Sequence, residues 1–197
     1  MVAGEDRQPN GEGLSVLDAE GGLRDWTIRS GRPSDAAACQ RVYAPYVLQT
    51  GVTFETEVPS LEVMARRIQD SLASHDWLVL DDGAAVRGYA YASQFGTRAA
   101  YRWSATLSVY LEPDLQRNGA GKALYQALFE RLAARGYIVA LAGVTLPSEA
   151  SLAFHRAMGF EQVAHLRGVG WKLGRWRDIA WLQRDLGPRP DQPPEPT

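Results

Sequence analysis

Gln116-Arg117-Asn118-Gly119-Ala120-Gly121-Lys122 is the stretch that decides how this chain folds. It stands between Leu107-Ser108-Val109-Tyr110-Leu111, which reads as a strand, and Leu124-Tyr125-Gln126-Ala127-Leu128-Phe129, which reads as a helix. Two glycines around one small residue leave backbone N–H groups free where the helix begins. They sit at the positive end of the helix dipole, a place suited to a phosphate. The run lacks the Lys-Ser/Thr ending of a nucleotide P-loop, and it is too short and too late in the chain for a dinucleotide fingerprint. By itself it also reads as a tight turn that holds no ligand.

Upstream of the run, residues 26–29 read as a strand. Arg32-Pro33-Ser34-Asp35 opens a helix that reaches about Val47. Pro59-Ser60 opens a second helix, with Leu61, Met64, Ile68 and Leu72 at helical spacing. Strands follow at 77–80, 86–93 and 105–111, the first two joined by an Asp82-Gly83 turn. Downstream, Leu124, Leu128 and Leu132 give the next helix an apolar face, and Gly136 ends it. Residues 138–141 read as a buried strand, Pro147-Ser148 begins a helix that closes at Gly159, and strands follow near 162–166 and 179–185. This order predicts a mixed α/β (α+β) fold, a central sheet flanked by helices, antiparallel early and with a parallel crossover at the glycine run.

A chain of 197 residues suffices for one domain with a sizeable core. Its formal charge of -2 provides no basic field, which disfavours nucleic acid as a partner. Cys39 is the single cysteine, so no internal disulfide or cysteine metal site is expected, and a reducing, cytoplasmic setting fits. No apolar run suggests a membrane span, and the N-terminus lacks the pattern of a secretory signal. Residues 1–24 read as a flexible extension, 25–186 as the folded domain, and 187–197, with five prolines, as a disordered tail.

The segment Leu146-Pro147-Ser148-Glu149-Ala150-Ser151-Leu152-Ala153-Phe154-His155-Arg156-Ala157-Met158-Gly159-Phe160 makes the pattern specific. Strand, glycine run, helix, strand and a helix ending Met-Gly-Phe together resemble the GNAT N-acetyltransferase superfamily. Tyr43-Ala44-Pro45-Tyr46-Val47, Gly51-Val52-Thr53-Phe54-Glu55-Thr56-Glu57, Tyr89-Ala90-Tyr91-Ala92 and Gly168-Val169-Gly170-Trp171-Lys172 resemble the phosphinothricin N-acetyltransferase family within it. The resemblance implies a GNAT fold whose parallel strands splay at an acetyl-CoA cleft. It implies acetyl-CoA as cosubstrate, no metal, and a small-molecule amine as acceptor: an amino acid or analogue such as phosphinothricin or methionine sulfoximine or sulfone. Relatives of this kind are often homodimers.

It also implies where the ligands lie. Gln116, Arg117, Asn118, Gly119, Ala120, Gly121, Lys122 and Ser148 would hold the pyrophosphate end, and main-chain atoms of Val109 and Leu111 the pantetheine. An N–H of Tyr110 or Leu111 would polarise the thioester carbonyl. His155 would give a proton to the leaving thiolate or relay one from the amine. The alternative is a histidine that fixes its helix to the sheet. Phe54, Tyr91 and Trp171 would wall the acceptor pocket and Arg98 pair with an acidic group of the acceptor. Core packing and a surface ion pair are the alternatives for them. Lys172 reads as a solvated loop charge as readily as a site residue, and His75 and His165 as structural or exposed.

The chain departs from the family at Thr106, where relatives carry a Glu proposed as the base. A threonine hydroxyl cannot serve as a general base at neutral pH. Three routes stay open for the amine proton: His155 or an acid such as Glu55 through water, an amine made partly neutral by desolvation, or weak turnover. The last would make the chain an acyl-CoA-binding or regulatory module, or a GNAT protein for another amine.

Overall fold

The computed structural model describes residues 14–17 and 23–197, with side chains from Trp26 onward. Eight strands form one open sheet. They are β1 (Leu14–Leu17), β2 (Leu23–Ser30), β3 (Trp77–Asp81), β4 (Val86–Gln94), β5 (Ser104–Leu111), β6 (Val139–Leu146), β7 (Glu161–Lys172) and β8 (Arg175–Asp185). Their spatial order is β1-β2-β3-β4-β5-β6-β8-β7. Helices α1 (Ala36–Gln49) and α2 (Leu61–Ser74) follow β2, while α3 (Ala120–Ala134) and α4 (Glu149–Ala157) flank β6 in sequence. Strand β1 lies inside the stretch expected to be a flexible extension; residues 1–13 and 18–22 lie outside the described residues.

The sheet separates two cores, and the alternation of side chains along each strand assigns them. In β3, Leu78 and Leu80 join the core under α3, while Trp77 and Val79 join the core under α1 and α2. In β5, Leu107 belongs to the first core and Tyr110 to the second. Helix α1 buries Cys39, Val42, Tyr43 and Val47 along one stripe. Helix α2 starts where Ser60 Oγ accepts the Val63 N–H at 3.2 Å, an N-cap that satisfies one orphan donor. Helix α3 buries Leu124, Leu128 and Leu132 as expected, together with Tyr125 and Phe129.

Neighbouring strands are antiparallel except β5 and β6. That parallel pair is short: Ser104 faces Val139, Ala105 faces Ala140, Thr106 faces Leu141, and pairing ends there. Beyond Thr106 the strands diverge, as the family resemblance implied.

Two expectations need correction. The hairpin β7–β8 is far longer than the strands anticipated near 162–166 and 179–185. The proline-rich tail, expected to be disordered, is seated on the body of the protein. Trp103 Nε1 donates to Pro194 O at 2.6 Å, Arg102 pairs with Glu195, and Arg135 and Thr197 exchange two hydrogen bonds. Prolines fix φ in advance, so ordering such a segment costs less entropy than ordering an ordinary chain.

Gly31, the residue after β2, lies against Trp77 of the second core. A Cβ there would lie 2.6 Å from Trp77 Cδ1, and Trp77 is fully buried. Gly31→Ala therefore overpacks the core and is expected to cost about 1–3 kcal/mol. Urea unfolding followed by tryptophan fluorescence checks this: the midpoint falls while the m-value stays unchanged.

Candidate active site

The gap between β5 and β6 is a cleft of about 490 Å³. Its walls are Leu107 to Leu111 on one side and Ala142 to Thr145 on the other. Gln116, Arg117, Gly119, Gly121 and Lys122 close one end, and Ser148, Ser151, Phe154 and His155 of the α4 segment cover it.

The sheet register sets which backbone groups face the gap. Glu112 N–H donates to Arg87 O at 2.9 Å, continuing the register that sets Leu111 opposite Gly88. In an antiparallel pair, residues bonded to the partner alternate with residues whose N–H and C=O point away. Tyr110 therefore bonds β4, while Val109 and Leu111 turn their polar backbone groups toward the cleft. This removes Tyr110 N–H from the expected donors and leaves that of Leu111. The Tyr110 side chain is buried on the far face, edge-on to Tyr43 and Tyr46.

Tyr46, which sequence reasoning did not single out, engages Leu111. Its hydroxyl donates to Leu111 O at 2.6 Å and accepts from Leu111 N–H at 3.4 Å. Gln116 Nε2 also reaches it at 3.4 Å.

The glycine run is shaped for an anion. Gly119 is left-handed, φ 82°, at the N-cap of α3, and no side chain caps that end. The N–H of Ala123 is bonded to Gly119 O at 3.0 Å. The N–H groups of Ala120, Gly121 and Lys122 precede it and have no intrahelical carbonyl to meet. Arg117 and Lys122 add two exposed cationic side chains. Ala120 is buried behind the loop, and Asn118 instead ties the loop by donating to Asp114 O at 3.1 Å.

His155 is buried at the cleft wall. Its Nδ1 lies 2.8 Å from Ser151 O, which can only accept, so Nδ1 carries the proton. Burial holds its pKa below the ordinary 6.5, the hydrogen bond to Ser151 opposing that shift in part. The ring is thus neutral with its lone pair on Nε2, 3.3 Å from the hydroxyl of Tyr125. Tyr125 also lines the cleft, and burial pushes its own hydroxyl far above the ordinary tyrosine range. In the sequence Tyr125 read only as part of an apolar helix; a tyrosine on such a face was the signal available.

Thr106 does not line the cleft; it stands at the fork, on the last paired rung. The acceptor residues expected at 54, 91, 98 and 171 do not all converge. Tyr91 lies across β4 from Ser108, against a second cavity. Phe54 packs on the backbone of Gly170. Trp171 is 58% exposed and meets Trp176, and Arg98 is exposed beside the turn at Ala99–Tyr101, lining neither cavity. Lys172 is no loop charge: it is buried, and Nζ donates to Thr53 O at 2.8 Å. His75 is likewise buried, stacked on Tyr137, and His165 pairs with Asp178 in the open hairpin.

Known proteins resemble this chain in sequence and in fold. The profile of the acetyltransferase (GNAT) domain family matches residues 28–181. A phosphinothricin N-acetyltransferase of Streptomyces viridochromogenes is 32% identical over 170 residues, covering 86% of this chain and 93% of its own. An L-methionine sulfoximine/L-methionine sulfone acetyltransferase of Salmonella typhimurium is 30% identical, covering 81% and 94%. The crystal structure of a phosphinothricin acetyltransferase from Sinorhizobium meliloti in complex with AcCoA superposes with a TM-score of 0.79. It is 37% identical and covers 83% of this chain and 89% of its own.

His155 and His75 are both held below 6.5 chiefly by burial. The unfolded chain therefore takes up their protons first. Their contribution to stability is complete above about pH 6.5 and is lost as the pH falls from there through the folded-state values. Unfolding free energy should be lower at pH 5.5 than at 7.5, and the His75→Gln/His155→Gln variant should lose much of that difference. Urea titrations at the two pH values measure it.

Proposed function

We propose that this chain, which belongs to the GNAT acetyltransferase family, is an N-acetyltransferase that moves acetyl from acetyl-CoA to the amine of a small amino-acid-like acceptor. The observation that carries the reading is the cleft itself: two strands parted after three rungs, with a glycine-capped helix start at one end. Curated relatives named for phosphinothricin and for methionine sulfoximine or sulfone support the acceptor class. They favour an enzyme over a binding module.

The residues fit the donor. The free N–H groups at the start of α3, with Arg117 and Lys122, suit the pyrophosphate. Val109 and Leu111 offer backbone groups for the pantetheine amides, as an edge strand would. Ser148 closes the cleft from the α4 side. When bound, acetyl-CoA supplies a thioester carbonyl that the amine attacks directly, and holding both in line replaces a covalent enzyme intermediate. The Leu111 N–H is the donor suited to the developing oxyanion. His155 enters the reaction neutral, so Nε2 acts first as an acceptor: it takes a proton from the collapsing adduct and passes it to the thiolate. Tyr125 holds the ring in place for that exchange.

We place the working unit over residues 25–186, in the cytoplasm, as a homodimer joined through the β7–β8 hairpin. Strand β7 is the sheet edge and leaves Val163, Leu166, Val169 and Trp171 exposed, with Trp176 beside them on β8. Sedimentation should give twice the 21.7 kDa chain mass; a monomer would count against the interface.

Acetyl-CoA at a hundred times its Kd should raise the unfolding free energy by about 2.7 kcal/mol. Thiol should be released with methionine sulfone or phosphinothricin as acceptor. His155→Gln should lower kcat by about 10²-fold with the KM for acetyl-CoA nearly unchanged. Gly119→Ala strains a left-handed residue by about 1 kcal/mol and should raise that KM several-fold. Neither protection nor turnover with any amine would end the reading.

A further inference from the structure

Thr106 leaves β5 without a carboxylate, so the proton of the acceptor amine needs another destination. Across β4, Ser93 stands opposite Thr106 and Tyr91 opposite Ser108. Opposed residues of an antiparallel pair share a face of the sheet. These four side chains therefore form one polar row on the face that carries α1 and α2. Ser108 lines the cleft, whereas Tyr91 and Ser93 line a second cavity of about 420 Å³. Tyr91 and Ser108 oppose each other on one rung of the β4–β5 pair, so this pair of hydroxyl side chains spans the two spaces.

Glu55 lines the second cavity too, its carboxylate 2.7 Å from Arg67 Nη1 and its side chain a third exposed. The titratable groups that face it are Arg67 of α2, Tyr43 of α1, Tyr91 of β4 and Lys172 of β7, and Asp70 and His75 border the same space. Tyr43 is fixed in turn by Thr53 Oγ1 at 2.6 Å.

The geometry points to Glu55 as the group that takes up the amine proton, relayed from the cleft by the hydroxyls of Ser108 and Tyr91. This rests on the acetyl-transfer reading above. In the relay an N–H bond of the acceptor ammonium breaks and Ser108 Oγ gains that proton. Ser108 gives its own proton to Tyr91, and Tyr91 gives its own to Glu55. Both hydroxyls end as they began, the amine is neutral, and Glu55 is a carboxylic acid. It returns the proton to solvent through its exposed edge, and no other reactant is needed.

The competing role for Glu55 is a tie that holds the 50–60 segment to α2 through Arg67. Thiol-release rates with acetyl-CoA and methionine sulfone, from pH 6.5 to 10, separate the two roles. Glu55→Gln should lower kcat/KM for the amine about 10²-fold near pH 7. The deficit should close as the pH passes the pKa of the amine, where the acceptor is neutral unaided. Tyr91→Phe should behave alike. Arg67→Gln breaks the same ion pair but keeps the carboxylate, so its loss should stay under about tenfold, an outcome a structural tie forbids. Thr106→Glu should restore the rate of Glu55→Gln by about tenfold or more while changing the parent little.

A deficit constant across pH, an Arg67→Gln loss equal to that of Glu55→Gln, or no rescue by Thr106→Glu overturns the relay. If Glu55→Gln fails to fold, judged by loss of its acetyl-CoA melting shift, Tyr91→Phe carries the test by the same pH criterion. A parent chain that binds acetyl-CoA yet releases no thiol with any amine overturns the transferase reading instead.

Discussion

Backbone N–H and C=O groups within a sheet must find partners, and past Thr106 strand β5 loses the neighbour that would supply them. Everything distinctive about the molecule answers that withdrawal. Val109 and Leu111 turn their backbone groups toward the gap, where the Tyr46 hydroxyl engages those of Leu111. The glycine run then reverses the chain into α3, so that free helix N–H groups stand at the end of the same opening. A single chain path thus leaves an open strand edge and an open helix terminus at the same gap. The cost of parting the strands is offset by the two cores, which clamp the sheet from both faces.

The two faces also divide the chemistry. The face under α3 and α4 carries His155 and Tyr125, both buried and both neutral near pH 7 because burial disfavours their charged forms. The face under α1 and α2 carries Ser108, Tyr91, Glu55 and Arg67, with a cavity open to solvent. A donor lying in the gap has a dry, polarisable wall on one side and a wet, charged one on the other. That asymmetry suits a reaction in which an ammonium must lose a proton before a thiolate gains one.

Much of this was legible in the sequence because the signals are local. The glycine run, the leucines of α3 and the Met158-Gly159-Phe160 end of α4 each act within a few residues of themselves. Strand β6 was legible only in its first half, since Gly143 and Thr145 interrupt the apolar run where the strand lines the cleft. The β7–β8 hairpin was obscured because an edge strand with both faces exposed has no burial pattern to betray it. Directions were harder than identities. Arg98 has the right chemistry for an acidic acceptor but stands on an exposed turn, whereas Arg67, 12 residues from Glu55 in sequence, reaches a cavity through the tertiary fold. Tail residues 187–197 read as disorder from proline content, yet their seating depends on Trp103 and Arg135, which local composition cannot reveal.

The hydroxyl of Tyr46 lies on the carbonyl and the N–H of Leu111, two groups that an incoming amide would also seek. A contact that is broken when a ligand arrives, and stays broken through the chemical step, subtracts from affinity alone. A contact kept until the transition state and then lost would instead slow turnover. A donor amide that takes up the Leu111 carbonyl would displace the Tyr46 hydroxyl, a cost of the first kind.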